Sequence, residues 1–257
     1  MRLFKDLYNY RELLKNNIKK EVGGKYKHSF LGVLWSFVNP LLQIAVYALV
    51  FQVILRSNID NYTVYLCCGL IPWQFFAASL TKGAWTVVEN GGIIKKVYFP
   101  REILPISTVS SEAVNFLLAS IIVLGFVIFG GVGLTINVLW YFVILAVQYV
   151  VCLGCAFLVS SLTVYVRDLN HIIGIFVQLM FYGTPIVYAV SQVPEKFQWI
   201  VKLNPMAYII DGYRSIFYYG QMPDFKGLAI ALGMGAILCL FGYAVFKKLE
   251  KRFAEEL

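Results

Sequence analysis

Trp35, Asn39, Gln43, Tyr47 and Phe51 recur every four residues, which on a helix makes one slowly drifting stripe. Gly174, Gln178, Tyr182 and Pro185 follow a similar spacing, with Tyr188 nearby. Both sets sit inside long apolar runs, where polar side chains are costly and face protein or water rather than lipid. Flat aromatic rings stack on the C–H faces of pyranoses. Amides between them hydrogen-bond hydroxyls without gripping one residue firmly. The chemistry on offer is therefore a path for sugar rings. Helix–helix packing plus an interfacial aromatic belt explains any single member better. For the first stripe taken as a set, both explanations stand.

Reactive chemistry is hard to find. The two histidines, His28 and His171, sit at the edges of apolar runs. No paired carboxylates and no Ser/His/Asp spacing stand out. Cys152 and Cys155 have a redox or zinc spacing, but they lie in an apolar helix without histidines nearby, so packing accounts for them and no metal site is expected. No G-x-x-x-x-G-K-[ST] phosphate loop is present; Gly23-Gly24-Lys25 runs into Tyr26. The chain is expected not to be an enzyme and to carry no cofactor. Glu112 and Asn115 lie two to three turns into an apolar run, roughly 12–17 Å along it. A carboxylate there is a candidate proton site. A bond to a neighbouring helix or a wet inner vestibule explains it more simply.

The elements that must position these residues follow from composition. Of 257 residues, 60% are hydrophobic and 14% charged, with mean hydropathy +0.72. That composition belongs to an all-α integral membrane protein. Six runs reach the length of about 20 residues that crosses a bilayer: 34–55, 62–88, 104–129, 138–164, 172–190 and 228–246. The net charge of +8 does not point to nucleic acid, because the basic residues cluster at the ends of these runs. Sixteen of the 22 Lys and Arg residues fall on one side, which places both termini and the loop 90–104 in the cytoplasm.

No cleavable leader is expected. Residues 1–30 read as an amphipathic interface helix on anionic lipid, with Leu3, Leu7, Tyr10, Leu14 and Ile18 on one face and Lys5, Glu12, Lys15 and Lys19 on the other. Residues 31–257 form the membrane domain. The segment 192–225 is too apolar for a solvated loop and too short to cross twice. Two re-entrant helices broken at Asn204-Pro205 fit it, with the proline opening the second. An outer gate built around Trp199, Asn204, Pro205 and Tyr208 is expected there.

Several motifs carry a resemblance: Lys25-Tyr26-Lys27-His28-Ser29-Phe30-Leu31-Gly32 leading to Trp35 and Pro40; Gly69-Leu70-Ile71-Pro72-Trp73-Gln74-Phe75-Phe76; Phe99-Pro100-Arg101-Glu102-Ile103-Leu104-Pro105; Val166-Arg167-Asp168-Leu169; and Thr184-Pro185-Ile186-Val187-Tyr188 followed by Asn204-Pro205 and Arg214. In this order, the chain resembles, nearly end to end, the membrane subunits of ABC transporters that export lipid-linked polysaccharides such as O antigens, capsules and teichoic acids. The resemblance implies a homodimer of six-helix subunits in the inner membrane, above two separate ATPase subunits that bind Mg-ATP. It implies a channel lined by aromatics, a gate of paired outer helices and a coupling helix between the second and third spans. On the loop 90–104, Ile93, Ile94, Val97 and Tyr98 would be the apolar contacts to the ATPase, and Lys95, Lys96, Arg101 and Glu102 the polar ones. The short loops leave no room for an appended carbohydrate-binding domain.

Three other classes remain to be weighed. A drug or lipid exporter of the same fold needs no long aromatic ladder. An ion-coupled carrier or channel would use Glu112. A membrane-embedded glycosyl- or acyltransferase lacks a catalytic cluster.

Overall fold

The computed structural model describes residues 8–24 and 32–257. Leu3, Lys5 and Leu7 of the expected amphipathic helix, and residues 25–31 of the first motif, lie outside them. The described residues form helices α1 (Arg11–Gly24), α2 (Trp35–Ala48), α3 (Tyr62–Glu89), α4 (Gly91–Ile94), α5 (Ile103–Phe129), α6 (Tyr141–Tyr165), α7 (Leu169–Gly183), α8 (Gln198–Lys202), α9 (Pro205–Phe217), α10 (Phe225–Leu249) and α11 (Phe253–Glu256). A wider π-helical turn, Leu49–Ile54, prolongs α2.

Five helical stretches are long and apolar enough to cross a membrane: Trp35–Ile54, Tyr62–Glu89, Ile103–Phe129, Ile136–Tyr165 and Phe225–Glu256. The protein is a multi-pass membrane protein. The stretch expected as the fifth span differs. α7 has 15 residues and ends at Gly183, about 22 Å of helix. Pro185 is the reason. A proline disfavours helical backbone in the residue before it, and Thr184 is extended at φ −107, ψ 135. The apolar sequence continues past this stop but the helix does not.

α3 is the central post. It packs against α2, α5, α6, α7 and α9, and its apolar residues are buried almost all round. A helix hydrophobic on every side belongs in the middle of a bundle. α6 and α10 form the closest pair, because small residues let their backbones touch. A Cβ on Gly154 would meet the Cys239 backbone at 2.6 Å, and one on Gly242 would meet Gly154 O at 2.5 Å. α2 and α7 lie at the edge. α2 buries only Ser36, Pro40 and Ile44, and α7 only Ile173 and Phe181.

α1 lies along α5. Tyr10, Leu13 and Leu14 pack against a small cluster that includes Phe99, Leu104 and Phe253. Its polar side ends at Glu21, whose carboxylate accepts from Ser111 Oγ at 2.6 Å and Thr108 Oγ1 at 3.1 Å.

Candidate functional site

The packing stripe of α2 is Ser36, Pro40 and Ile44. The aromatic and amide stripe runs beside it, one residue back at each turn. That offset leaves Asn39 and Gln43 exposed and Trp35, Tyr47 and Phe51 half-buried. The stripe therefore flanks the helix contact instead of making it.

Two hollows share the first four residues of the stripe. One, of about 140 Å³, is lined by Trp35, Asn39 and Gln43 from α2, Gln74 and Phe75 from α3, and Glu112 and Asn115 from α5. The other, of about 360 Å³, opens between α2, α3 and α7 and is lined by Gln43, Tyr47, Trp73, Gln74, Gln178, Phe181 and Tyr182. Gln43 and Gln74 border both, and Gln74 Nε2 donates to Gln43 Oε1 at 2.8 Å. In the larger cleft the Tyr47 and Phe181 rings are 5.4 Å apart and Trp73 meets Phe181 edge-on at 5.9 Å. Tyr182 projects from the rim. The structure thus brings together Gln43, Tyr47, Gln178 and Tyr182. Phe51 lines neither hollow; its ring lies 6.4 Å from that of Tyr62. Tyr188 is drawn into the turn after α7, where its hydroxyl donates to Tyr182 O at 2.7 Å.

Trp73, Gln74 and Phe181 are additions to the expected lining. Gln74 is a lone amide among the apolar neighbours of α3, so no recurring stripe marked the side that faces the cleft. Glu112 is also better supplied than its surroundings in sequence suggest. It forms an ion pair with Lys82 of α3.

The segment between α7 and α10 is built around the stop at Thr184. Asn204 caps α9, its Oδ1 accepting from Met206 N at 3.0 Å, and Pro205 occupies the first helical position. Asn204 Nδ2 donates to Thr184 Oγ1 at 2.7 Å. Arg214 of α9 is buried and donates from Nη1 to Pro185 O at 2.6 Å and from Nη2 to Ile186 O at 2.7 Å. Tyr62 and Tyr65 of α3 donate to Val187 O and Tyr188 O at 2.9 and 3.0 Å. The irregular backbone after α7 thus has its carbonyls satisfied by side chains, which is the condition for broken helix at membrane depth. Trp199 lies exposed on α8, and the Tyr208 hydroxyl donates to Lys202 O at 3.0 Å, holding α8 against α9.

On the loop between α3 and α5 the helix is only Gly91–Ile94, shorter than the expected 90–104. The expected contact residues separate into two groups. Tyr98 is 91% exposed, Val97 58% and Ile93 48%. Ile94 instead is buried with Val87, Phe99 and Phe253. Glu102 is 1% exposed and paired with Lys247, and Arg101 Nη1 donates to Glu250 O. Ile94, Arg101 and Glu102 therefore hold the loop to its own chain, and Glu102 is not offered to a partner. Loop separation in the sequence conceals this, because the anchors are at the C-terminus.

Among the described residues no group of three His, Cys, Asp or Glu side chains comes together. The arrangement offers binding surfaces and anchored turns.

Comparison with known proteins adds a relationship along the whole chain. The family model described as ABC-2 type transporter matches residues 12–218. Two relatives from Klebsiella pneumoniae, each named O-antigen export system permease protein RfbA, are 38% identical over 247 residues, covering 96% of this chain and 95% of theirs. A relative of the same name from Myxococcus xanthus is 32% identical over 259 residues, covering 100% of both chains.

Proposed function

The chain belongs to the ABC-2 type transporter family, and on that premise we propose that it is the permease subunit of an ATP-driven exporter of a lipid-linked polysaccharide. The observation that carries this is the 38% identity to the O-antigen export permeases over 96% of this chain and 95% of theirs. That relationship spans nearly all of both chains, so it is not confined to one helix or loop.

Two copies would build the conduit. α2 and α7 leave apolar faces uncovered in the single chain, Leu42, Val46, Ile175 and Leu179 among them. The cleft between the same two helices holds Gln43, Tyr47, Gln178 and Tyr182. Closed two-fold pairing would set two such clefts around one path. α7 and the turn after it would complete a sixth crossing, with α8 and α9 as the outer gate and both termini in the cytoplasm. Two separate ATPase subunits, each binding Mg-ATP, would dock from below on Ile93, Val97 and Tyr98.

The cargo would be an O antigen, a teichoic acid or a capsule chain carried on lipid. Aromatic faces and amides suit a repeating sugar, since they grip no single residue and let the chain slide. The drug-exporter and ion-carrier readings gain nothing from the cleft, and the Lys82 ion pair gives Glu112 a structural partner.

Inverted membrane vesicles containing the chain and its ATPase should take up lipid-linked glycan only with hydrolysable ATP. Uptake by the chain without any ATPase would overturn the assignment.

A further inference from the structure

The loop that carries Tyr98 is fastened at its far end to the C-terminal segment of the same chain. Lys247 of α10 makes an ion pair with the buried Glu102 and reaches Glu250 Oε1 at 2.9 Å. Arg101 donates to Glu250 O, and its guanidinium carbon lies 5.9 Å from the ring centre of Phe253. Phe253 is fully buried and meets Phe246 edge-on at 5.4 Å. Gly91, at the start of the loop helix, faces Leu257; a Cβ there would lie 3.4 Å from that side chain. Both ends of the loop thus rest on residues 247–257.

This fastening leads upward. Phe246 packs on Phe157 of α6 at 5.5 Å, and the Tyr165 hydroxyl donates to Leu249 O at 2.9 Å. α6 and α10 touch backbone to backbone at Gly154 and Gly242, so neither can slide freely past the other. At the opposite end of this pair, Ile144 of α6 and Leu228 of α10 press on Gly212 of α9; a Cβ there would stand 3.5 and 3.3 Å from them. α9 also carries Arg214, which holds the turn at Pro185 and Ile186.

We propose that Glu102 and Lys247 are positioning residues for transport, forming a clamp through which movement of the cytoplasmic loop is delivered to the α6–α10 pair and from there to α9. The loop joins α3 and α5 covalently, and the clamp gives it a second output, on the far side of the bundle. One tilt of the loop would then act on the cytoplasmic end and the outer segment together. A buried carboxylate with a single cationic partner is suited to this, because breaking the pair leaves a charge stranded in a low-dielectric site. This inference rests on the reading that the ATPase pushes on the loop.

The test uses the whole exporter, permease with ATPase, in proteoliposomes, and reads glycan transported per ATP hydrolysed. Glu102→Lys and Lys247→Glu should each lower that ratio about fivefold or more while the ATPase stays bound, a loss on the scale of a modest coupling free energy. The double exchange, Glu102→Lys with Lys247→Glu, should restore most of it, because it re-forms the ion pair with its charges reversed. An unchanged ratio in the single variants, or no recovery in the double, overturns the clamp. If the charge reversals do not assemble, Lys247→Met, at a half-exposed position, is measured in the same way: a lowered ratio supports the clamp and an unchanged one overturns it. Tyr98→Asp separates the underlying reading. If it leaves ATPase binding intact, the docking surface is wrong. If it abolishes binding while Lys247→Glu transports normally, the clamp alone falls.

Discussion

The guanidinium of Arg214 lies over the ring of Tyr65, its central carbon 3.6 Å from the ring centroid. Tyr65 also donates to Tyr188 O, so the ring under the cation and the carbonyls bonded by it belong to one assembly. A buried cation is tolerated here because two carbonyls and a π face replace its water.

Replacing Arg214 by Ala would orphan the Pro185 and Ile186 carbonyls, at about 1–3 kcal/mol for each buried group left unsatisfied. Arg214→Ala should lower the thermal midpoint in detergent by several degrees. Arg214→Lys should fall between, since an ammonium cannot form the two-carbonyl fork and stack at once. Equal midpoints for all three proteins would mean that the turn holds its shape without Arg214.

Tyr98 is predicted to behave in the opposite way. Its side chain is 91% exposed, so Tyr98→Asp should change stability by less than about 0.5 kcal/mol. Binding of the ATPase should nevertheless weaken by about tenfold or more, since exposed aromatics are common anchors of interfaces. Co-purification of the two subunits at graded concentrations checks this. Val97→Asp should act alike, and Ile94→Asp should instead unfold the loop, because Ile94 is packed beneath it.

Much of this architecture was legible in the sequence because membranes simplify the signal. An apolar run of the right length must be helical, and α3, α5 and α6 follow their runs closely. Asn204-Pro205 announced the start of α9, since a capping amide followed by proline fits a first turn. The fifth run outlasts its helix for the same reason: hydropathy counts apolar residues, and Pro185 ends the helix without breaking the apolar pattern. The lining of the candidate cleft was legible wherever one helix supplied neighbouring residues, as with Gln43 and Tyr47. Pairings between helices were not. Glu102 and Lys247 lie far apart along the chain, and Gln74 finds Gln43 only through the packing of α3 on α2. No period within a single helix records such partners.

The cleft makes a third prediction. Tyr182 is 58% exposed, so Tyr182→Ala removes little packing, and its effect on export reports contact with cargo. Loss of one stacking surface worth about 1.4 kcal/mol slows a binding-limited step about tenfold. Tyr182→Ala and Gln178→Ala should each reduce glycan export toward that extent while leaving complex assembly and basal ATP hydrolysis intact. Tyr182→Phe, which keeps the ring, should retain most export. Equal export by Tyr182→Ala and the natural protein would assign this rim to lipid or to the second copy.

Glu21 gives α1 a dependence on pH. Burial raises its carboxyl above the ordinary 4.5, and the hydrogen bonds from Ser111 and Thr108 offset this only partly; Lys82 lowers it and Glu112 raises it further. The folded chain therefore holds a proton on Glu21 at pH values where an undocked α1 has released it. Docking is then stabilised as pH falls from the raised value toward 4.5, and this gain is lost as pH rises through the raised value. Protection factors of the α1 amides against hydrogen exchange should rise on acidification across that window. Glu21→Gln carries no charge to desolvate, so its α1 should be protected at neutral pH and indifferent to pH in the same interval. If protection in the natural protein instead drops on acidification, the ionised carboxylate is the form that α5 prefers, and the Ser111 and Thr108 hydroxyls outweigh the burial of Glu21.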